Sequence, residues 1–411
     1  MSSIAYAALW IFVFSIPWGS VVIIESGVNL VGRLTGMVAV ALAVLAVTVS
    51  GRFRRLDAYH VAAIAFMGWI VIQQLVFFKT GVRLSSKFWT FVQLLLAVWT
   101  MWELAPTRAR QYGLMLAYLV GSYVVALDTI RVSRTEGALM RRFAAGGADP
   151  NGIAMTLALA LPIAWYLAAV YRRPALRWFC RAYLPVGVLA LGLTGSRGGM
   201  LATMVALMVV PFTMTRLTPA RLVSAVVLLA VSGIVAAIYV PDRIVERLAT
   251  TGTEVQEFRL GGRGSIWIAG IRAFAQKPLM GYGPGRFKDA VQPYGIDQVA
   301  HNSFISVLVE EGIVGLLIFL CILLAIFLAL LRLPRLERRF SLVLFATLLV
   351  AMIPLTMEDN KGVWFIMAAL VGVARLRWSR EAAAWQPAEV PAPAPRLRRA
   401  PVAPRGAEPV R

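Results

Sequence analysis

An all-α, polytopic integral membrane protein of about twelve helices is the fold class this chain predicts, and three observations carry it. Hydrophobic residues make up 59% of the sequence and charged residues 15%, with a mean hydropathy of +0.74. A soluble domain carries about a quarter charged residues. Apolar runs of about 17–25 residues, enough for a crossing, recur without a long polar interval. Arginines gather in alternate short loops between those runs.

Windows of crossing length fall near residues 4–24, 32–50, 59–78, 88–105, 112–130, 152–171, 182–195, 199–215, 222–240, 303–331, 341–356 and 362–376. The first is too long, and lacks the small-residue cleavage site, to be a removed signal peptide. Twelve crossings put both termini on one side. Positive charge marks that side as cytoplasmic: GRFRR (51–55), TRAR (107–110), RRPALRWFCR (172–181), TRLTPAR (215–221) and RLPRLERR (332–339) all lie there. The chain thus divides into nine helices over 1–240, an outer loop over 241–300, three helices over 301–380 and a basic tail over 381–411. That tail is rich in Pro and Ala, has nothing to bury, and is predicted to be disordered and to meet anionic lipid headgroups.

The net charge of +21 raises nucleic-acid binding as an option. Its placement in short loops between apolar runs argues against it. Cys180 and Cys321 lie at different depths and imply neither a disulfide nor a metal framework.

The outer face should be poor in positive charge, yet it carries Lys79, Arg83, Lys87, Arg131, Arg134, Arg141, Arg142 and Arg197. The long loop adds Arg243, Arg247, Arg259, Arg263, Arg272, Lys277, Arg286 and Lys288. Guanidinium groups pair bidentately with phosphate oxygens, so this excess suits an anionic ligand. About half of them are expected simply to reach lipid phosphates. Arg197, in LTGSRGGML, sits in a hairpin so short that its side chain should point into the bundle. The alternative for it is a structural ion pair with Glu358 or Asp359. Within the loop, GSIWIAGIRAFAQKPLMG has Ile266, Ile268, Ile271 and Phe274 at helical spacing, predicting an interfacial helix. GYGPGRF follows as a turn, either structural or a place where backbone approaches a ligand.

His301 opens HNSFISVLVEEGIVG at the outer mouth of the tenth window. An imidazole with a pKa near 6.5 can accept a hydroxyl proton at neutral pH. His60, beside Tyr59, reads as an interfacial residue. The sequence has no H-E-x-x-H, no P-loop and no G-x-S-x-G, so metal-independent chemistry is the simpler inference. A serine nucleophile assisted by His301 stays open, none being favoured by spacing. Glu310 lies nine residues on, about 180° around a straight helix from His301. It is therefore expected to pack against a neighbour unless the helix breaks between them.

These residues resemble the O-antigen ligase and polymerase superfamily. The resemblance rests on His301 and Asn302 followed by nine residues and GIVG (Gly312, Gly315), with Glu310 in its usual place. TGSRGGML around Arg197, GADPNG with Asp149 and Asn151, and RLGGRGSIW leading to PLMGYGPGRF stand in the family's order over roughly 145–320. The resemblance implies a GT-C-like, metal-independent and cofactor-free glycosyltransferase in the bacterial inner membrane, acting on the periplasmic face. Its donor would be a glycan on undecaprenyl pyrophosphate and its acceptor a sugar hydroxyl of lipid A-core. His301 would activate that hydroxyl, Arg197 with Arg263 or Arg259 would hold the pyrophosphate, and Asn302, Glu310, Asp149 and Asn151 would support them. Polymerases of the superfamily share the donor, and protein-glycosylating members differ in acceptor. A compact outer loop of about sixty residues favours the lipid A-core ligase. A twelve-span transporter is the competing class. Transporters place charge at the midplane on broken helices in repeated halves, whereas charge here clusters on one face and no repeat is found. A non-catalytic scaffold of an assembly complex, anchored by its basic tail, is the third reading.

Overall fold

The computed structural model describes residues 1–19, 30–78, 85–135, 142–213, 219–249 and 262–376. The tail 381–411, Arg259, Arg141, Lys79 and Arg83 lie outside the described residues. The described residues form helices and no strand: α1 (Ser2–Ser15), α2 (Leu30–Ser50), α3 (Ala58–Phe78), α4 (Ser86–Leu104), α5 (Arg108–Thr135), α6 (Pro150–Val170), α7 (Pro174–Leu193), α8 (Arg197–Leu207), α9 (Val209–Thr213), α10 (Pro219–Tyr239), α11 (Asp242–Ala249), α12 (Arg263–Gln276), α13 (Phe287–Val291), α14 (Ser303–Leu331), α15 (Arg335–Met352) and α16 (Lys361–Ala374). Each expected window overlaps one of these helices, although α1 ends at Ser15, and residues 20–24 and 214–215 of two windows lie outside the described residues.

The protein is a polytopic helical membrane protein. Among the described residues, six helices are long and apolar enough to cross a bilayer: α2, α3, α5, α6, α7 and α14. The stretches Ser2–Ser15, Arg197–Thr213, Ala225–Tyr239 and Lys361–Ala374 are apolar but shorter. At 1.5 Å per residue α1 reaches only ~21 Å. The window expected over 199–215 is two pieces, α8 and α9, with Met208 between them.

The centre of the bundle is α6, which packs on α5, α7, α8 and α15. Its small residues Ala154, Ala158, Ala160, Ala164 and Ala168 are buried, letting neighbours approach closely as membrane helices require. In α16 every residue from Gly362 to Val373 is buried. By contrast α2 shows Leu34, Met37, Val38 and Val44 at the surface, as a lipid-facing helix does.

α14 positions everything that follows, and it is broken. Gly312 has φ 69° and ψ −174°, a conformation open to glycine alone. The break frees carbonyls that a straight helix would satisfy. The glycine-rich turn and α3 replace the lost partners: Tyr282 N donates to Val309 O (3.0 Å), Gly283 N to Glu310 O (2.7 Å) and Trp69 Nε1 to Glu311 O (2.9 Å). Ile313 N is received by Pro278 O at 2.8 Å. Buried polar backbone thus stays bonded, the condition for irregular structure at membrane depth. A Cβ on Gly281 would run into the Val309 and Glu310 carbonyls, which explains glycine there. GYGPGRF is therefore a structural turn docked on α14, the plainer of its two readings.

The segment from Gly262 has its own small core. Ile266, Ala269, Ala273, Phe287, Ala290, Val291 and Ala300 close over Val309 of α14. The helix expected in this loop is present as α12. Of its four expected apolar residues, however, Ile266 is buried while Ile268 and Ile271 are exposed.

Candidate functional site

His301 is the one non-glycine residue with positive φ among the described residues, at 45°. Histidine tolerates this left-handed region better than most side chains, at about 1 kcal/mol or more. The flanking chain over-determines it. Trp267 Nε1 donates to Ala300 O at 3.0 Å, on one side. On the other, Ser303 Oγ donates to Leu355 O (2.8 Å) and accepts from Met357 N (2.9 Å). His301 does not begin the helix, as the sequence predicts. Asn302 is the N-cap, its Oδ1 accepting from Phe304 N (2.9 Å) and Ile305 N (3.0 Å). The imidazole consequently stands clear of α14.

It stands at a cavity of about 930 Å³ whose walls include Arg142, Asn151, Arg197, Arg263, Trp267 and Pro354. That volume is in the range of pockets that enclose small molecules. Arg197 is the first residue of α8, whose N-cap Ser196 accepts from Gly199 N at 3.1 Å. Side chains at Gly198 and Gly199 would strike Pro354 and Ala154, so the tight reversal at Arg197 needs both glycines. Arg263 opens α12 behind Gly262, which is left-handed at φ 87°. One guanidinium comes from the start of α8 and one from the start of α12, and both residues line the cavity that His301 lines.

Arg142 is the contributor that sequence reasoning places on the outer face but not in the site. Its Nε donates to Thr194 O (2.8 Å) and its Nη2 to Asn151 Oδ1 (2.8 Å), which also accepts from Ser196 Oγ (3.0 Å). Asn151 Nδ2 continues to Asp149 Oδ1 at 3.2 Å. Asp149 in turn caps α6 through Gly152 N at 2.9 Å. This relay ties the GADPNG turn to the hairpin of Arg197 and fixes both against the cavity. Trp267, at the end of RLGGRGSIW, also lines it, as do Asp297 and Gln298, which no motif marks.

The His301 pKa is held below the ordinary imidazole value of 6.5, first by burial and then by the nearby Arg263 charge, against which Asp149 acts in the opposite direction. Both leading causes disfavour the imidazolium. The ring is therefore neutral at neutral pH and able to receive a proton.

Glu310 does not join His301. Its carboxylate accepts from Lys87 Nζ (2.7 Å), Gly285 N (2.9 Å) and Phe287 N (3.2 Å), as expected for a residue on the far side of the helix. Lys87 is a correction: among the outer cations by sequence, it is 8% exposed and also bonds Glu358. Glu358, one of two partners considered for Arg197, is thereby engaged, and Ser306 Oγ donates to it at 2.6 Å. This buried cluster joins α4, α14, the glycine-rich turn and the 353–360 turn. His60, near the start of α3, is buried, its Nδ1 accepting from Asp57 N at 3.2 Å and its ring 4.5 Å from that of Trp102.

Residues 182–320, about a third of the chain, match the family model described as O-antigen ligase. The match supports the O-antigen ligase superfamily and spans Arg197, Arg263 and His301. No curated protein matches the chain.

Proposed function

We propose that the protein is a metal-independent, inverting glycosyltransferase of the O-antigen ligase type, moving a glycan from undecaprenyl pyrophosphate to a sugar hydroxyl of lipid A-core. In this reading it crosses the bacterial inner membrane twelve times in a GT-C-like arrangement, with both termini cytoplasmic and the cavity facing the periplasm. The observation that carries the reading is the convergence of His301, Arg197, Arg263 and Arg142 on one cavity. The family match over 182–320 supports the same reaction class.

The chemistry follows from those side chains. Neutral His301 takes the proton of the acceptor hydroxyl as its oxygen attacks the anomeric carbon. The bond from that carbon to the pyrophosphate oxygen breaks on the opposite side, and the lipid pyrophosphate leaves with the electron pair. Attack from the face opposite the leaving group inverts the anomeric centre. Charge grows on the leaving oxygens in the transition state, where fixed guanidinium groups stabilise it most. Arg197 and Arg263 have that role, with Arg259 a further candidate. Arg142 and Asp149 orient Asn151 and the Arg197 hairpin. Asn302 and Glu310 act by fixing α14.

The polymerase alternative shares the donor and differs in acceptor. The test is transfer by the purified protein in liposomes from a polyprenyl-pyrophosphate glycan, with lipid A-core and a second donor molecule offered separately. Glycosylated lipid A-core is the expected product. Elongation of the donor glycan alone would make the protein a polymerase, and no transfer to either would overturn the enzyme reading.

A further inference from the structure

A second cavity, of about 240 Å³, lies between α1, α2, α4 and α16 and shares no lining residue with the His301 cavity. Its depth is apolar, with Phe12, Leu94, Ala97 and Trp364 in its walls. Gly36 brings α2 close to the Phe12 ring, since even a Cβ there would sit 3.0 Å from Phe12 Cε2. Two cations also line it: Arg33, from the first turn of α2, and Lys361, the first residue of α16.

These cations are close enough for the Arg33 charge to act on Lys361. Neither forms an ion pair among the described residues. Arg33 is exposed and Lys361 half-buried, so an anion placed between them would be attracted by both charges. The first amides of α16 do not compete for that anion, because Asn360 Oδ1 already accepts from Gly362 N (2.8 Å) and Val363 N (3.4 Å). The neighbouring surface of α2, with Leu34, Met37 and Val38 exposed, presents the groove to lipid. An anion bonded to an apolar chain satisfies both halves of the cavity; a free anion satisfies one.

We propose that this groove binds a membrane phospholipid of net negative charge, its phosphate held between Arg33 and Lys361 and one acyl chain lying along Phe12, Leu94 and Trp364. Guanidinium and ammonium groups together suit a phosphodiester, and the apolar walls offer close packing for an acyl chain. The site is independent of the glycosyltransferase reading. It sits on the helix that follows the 353–360 turn, so an occupied groove anchors that turn from the side away from Pro354.

The test is native mass spectrometry of the full-length protein released from mixed phosphatidylglycerol and phosphatidylethanolamine nanodiscs, with polyprenyl phosphate and inorganic phosphate as separate competitors. The wild type is expected to retain phosphatidylglycerol, and R33Q/K361Q to retain on the order of tenfold less or lower still. Ala97→Phe, which fills the groove and leaves both cations, is expected to lose it as well. Equal retention by R33Q/K361Q would overturn the proposal. So would undiminished retention by Ala97→Phe, displacement by inorganic phosphate, or preferential retention of polyprenyl phosphate.

Discussion

The two ends of one short stretch, His301 and Glu310, are nine residues apart and serve opposite kinds of site. Around Glu310 the polar groups face one another: Lys87, Ser306, Glu358 and two backbone amides close a cluster at 9% side-chain exposure or less for its three charged members. Around His301 the polar groups face an open cavity of about 930 Å³. The first arrangement engages most of its own polar groups, with Glu358 Oε2 and the neighbouring Glu311 carboxylate left without a hydrogen-bond partner among the described residues, and its closed packing holds structure. The second directs cations and an imidazole into space that a ligand can occupy. Charge in a membrane protein is thus sorted less by residue type than by what lies opposite it.

That contrast predicts that variants of the two regions fail differently. The largest effect belongs to the cavity. The double variant R197A/R263A is expected to lower kcat/KM for glycan transfer by at least about 10³-fold, since one oxyanion-stabilising donor is worth about 10²–10³. Its thermal unfolding in detergent should match the wild type. A matching loss of unfolding temperature would move both arginines into the structural class with Glu310.

Next in size is Glu310→Gln. Removing one partner of a buried ion pair costs about 3–5 kcal/mol, so the unfolding temperature should drop clearly. Transfer measured on the folded fraction at low temperature should fall much less than in R197A/R263A. A stable Glu310→Gln variant with no transfer would place the carboxylate in the chemistry and erase the distinction.

The smallest effect is a shift on the pH axis. Because His301 is held below 6.5 in the free protein, it is neutral above its own pKa and becomes protonated, and inactive as a base, only as pH falls below that lowered value. The acid limb of kcat/KM should therefore lie under pH 6.5. An anionic donor beside Arg263 raises the imidazole pKa again, so the acid limb of kcat should sit at higher pH than that of kcat/KM. Coincident limbs, measured over the same buffers, would separate His301 from the donor site.

Much of the fold was legible because membrane helices announce themselves by length and hydropathy, and each apolar window overlaps a helix. The break at Gly312 was not, since a single glycine in an apolar run has the same composition whether the helix bends or continues. The cavity was legible in part. Arg197 stands out as charge on a face that should lack it, His301 as a titratable group at a helix mouth, and Arg263 and Asn151 through the family resemblance. Arg142 carries the same signal and is separated from the other outer arginines only by its bond to Asn151. Lys87 misleads, because its buried partners Glu310 and Glu358 lie 223 and 271 residues away, and no local pattern reports a pairing of that range. Asp297 and Gln298 carry no signal either, since no motif includes them.

The central claim, that His301 is the proton acceptor facing an arginine-bound donor, is tested most directly by His301→Asn. Asparagine accepts the left-handed backbone and cannot act as a base at neutral pH. Single-turnover transfer from a polyprenyl-pyrophosphate glycan should fall by about 10²–10⁴-fold while donor affinity stays within a few-fold of the wild type. Transfer at the wild-type rate, with the donor bound as tightly, would contradict the account.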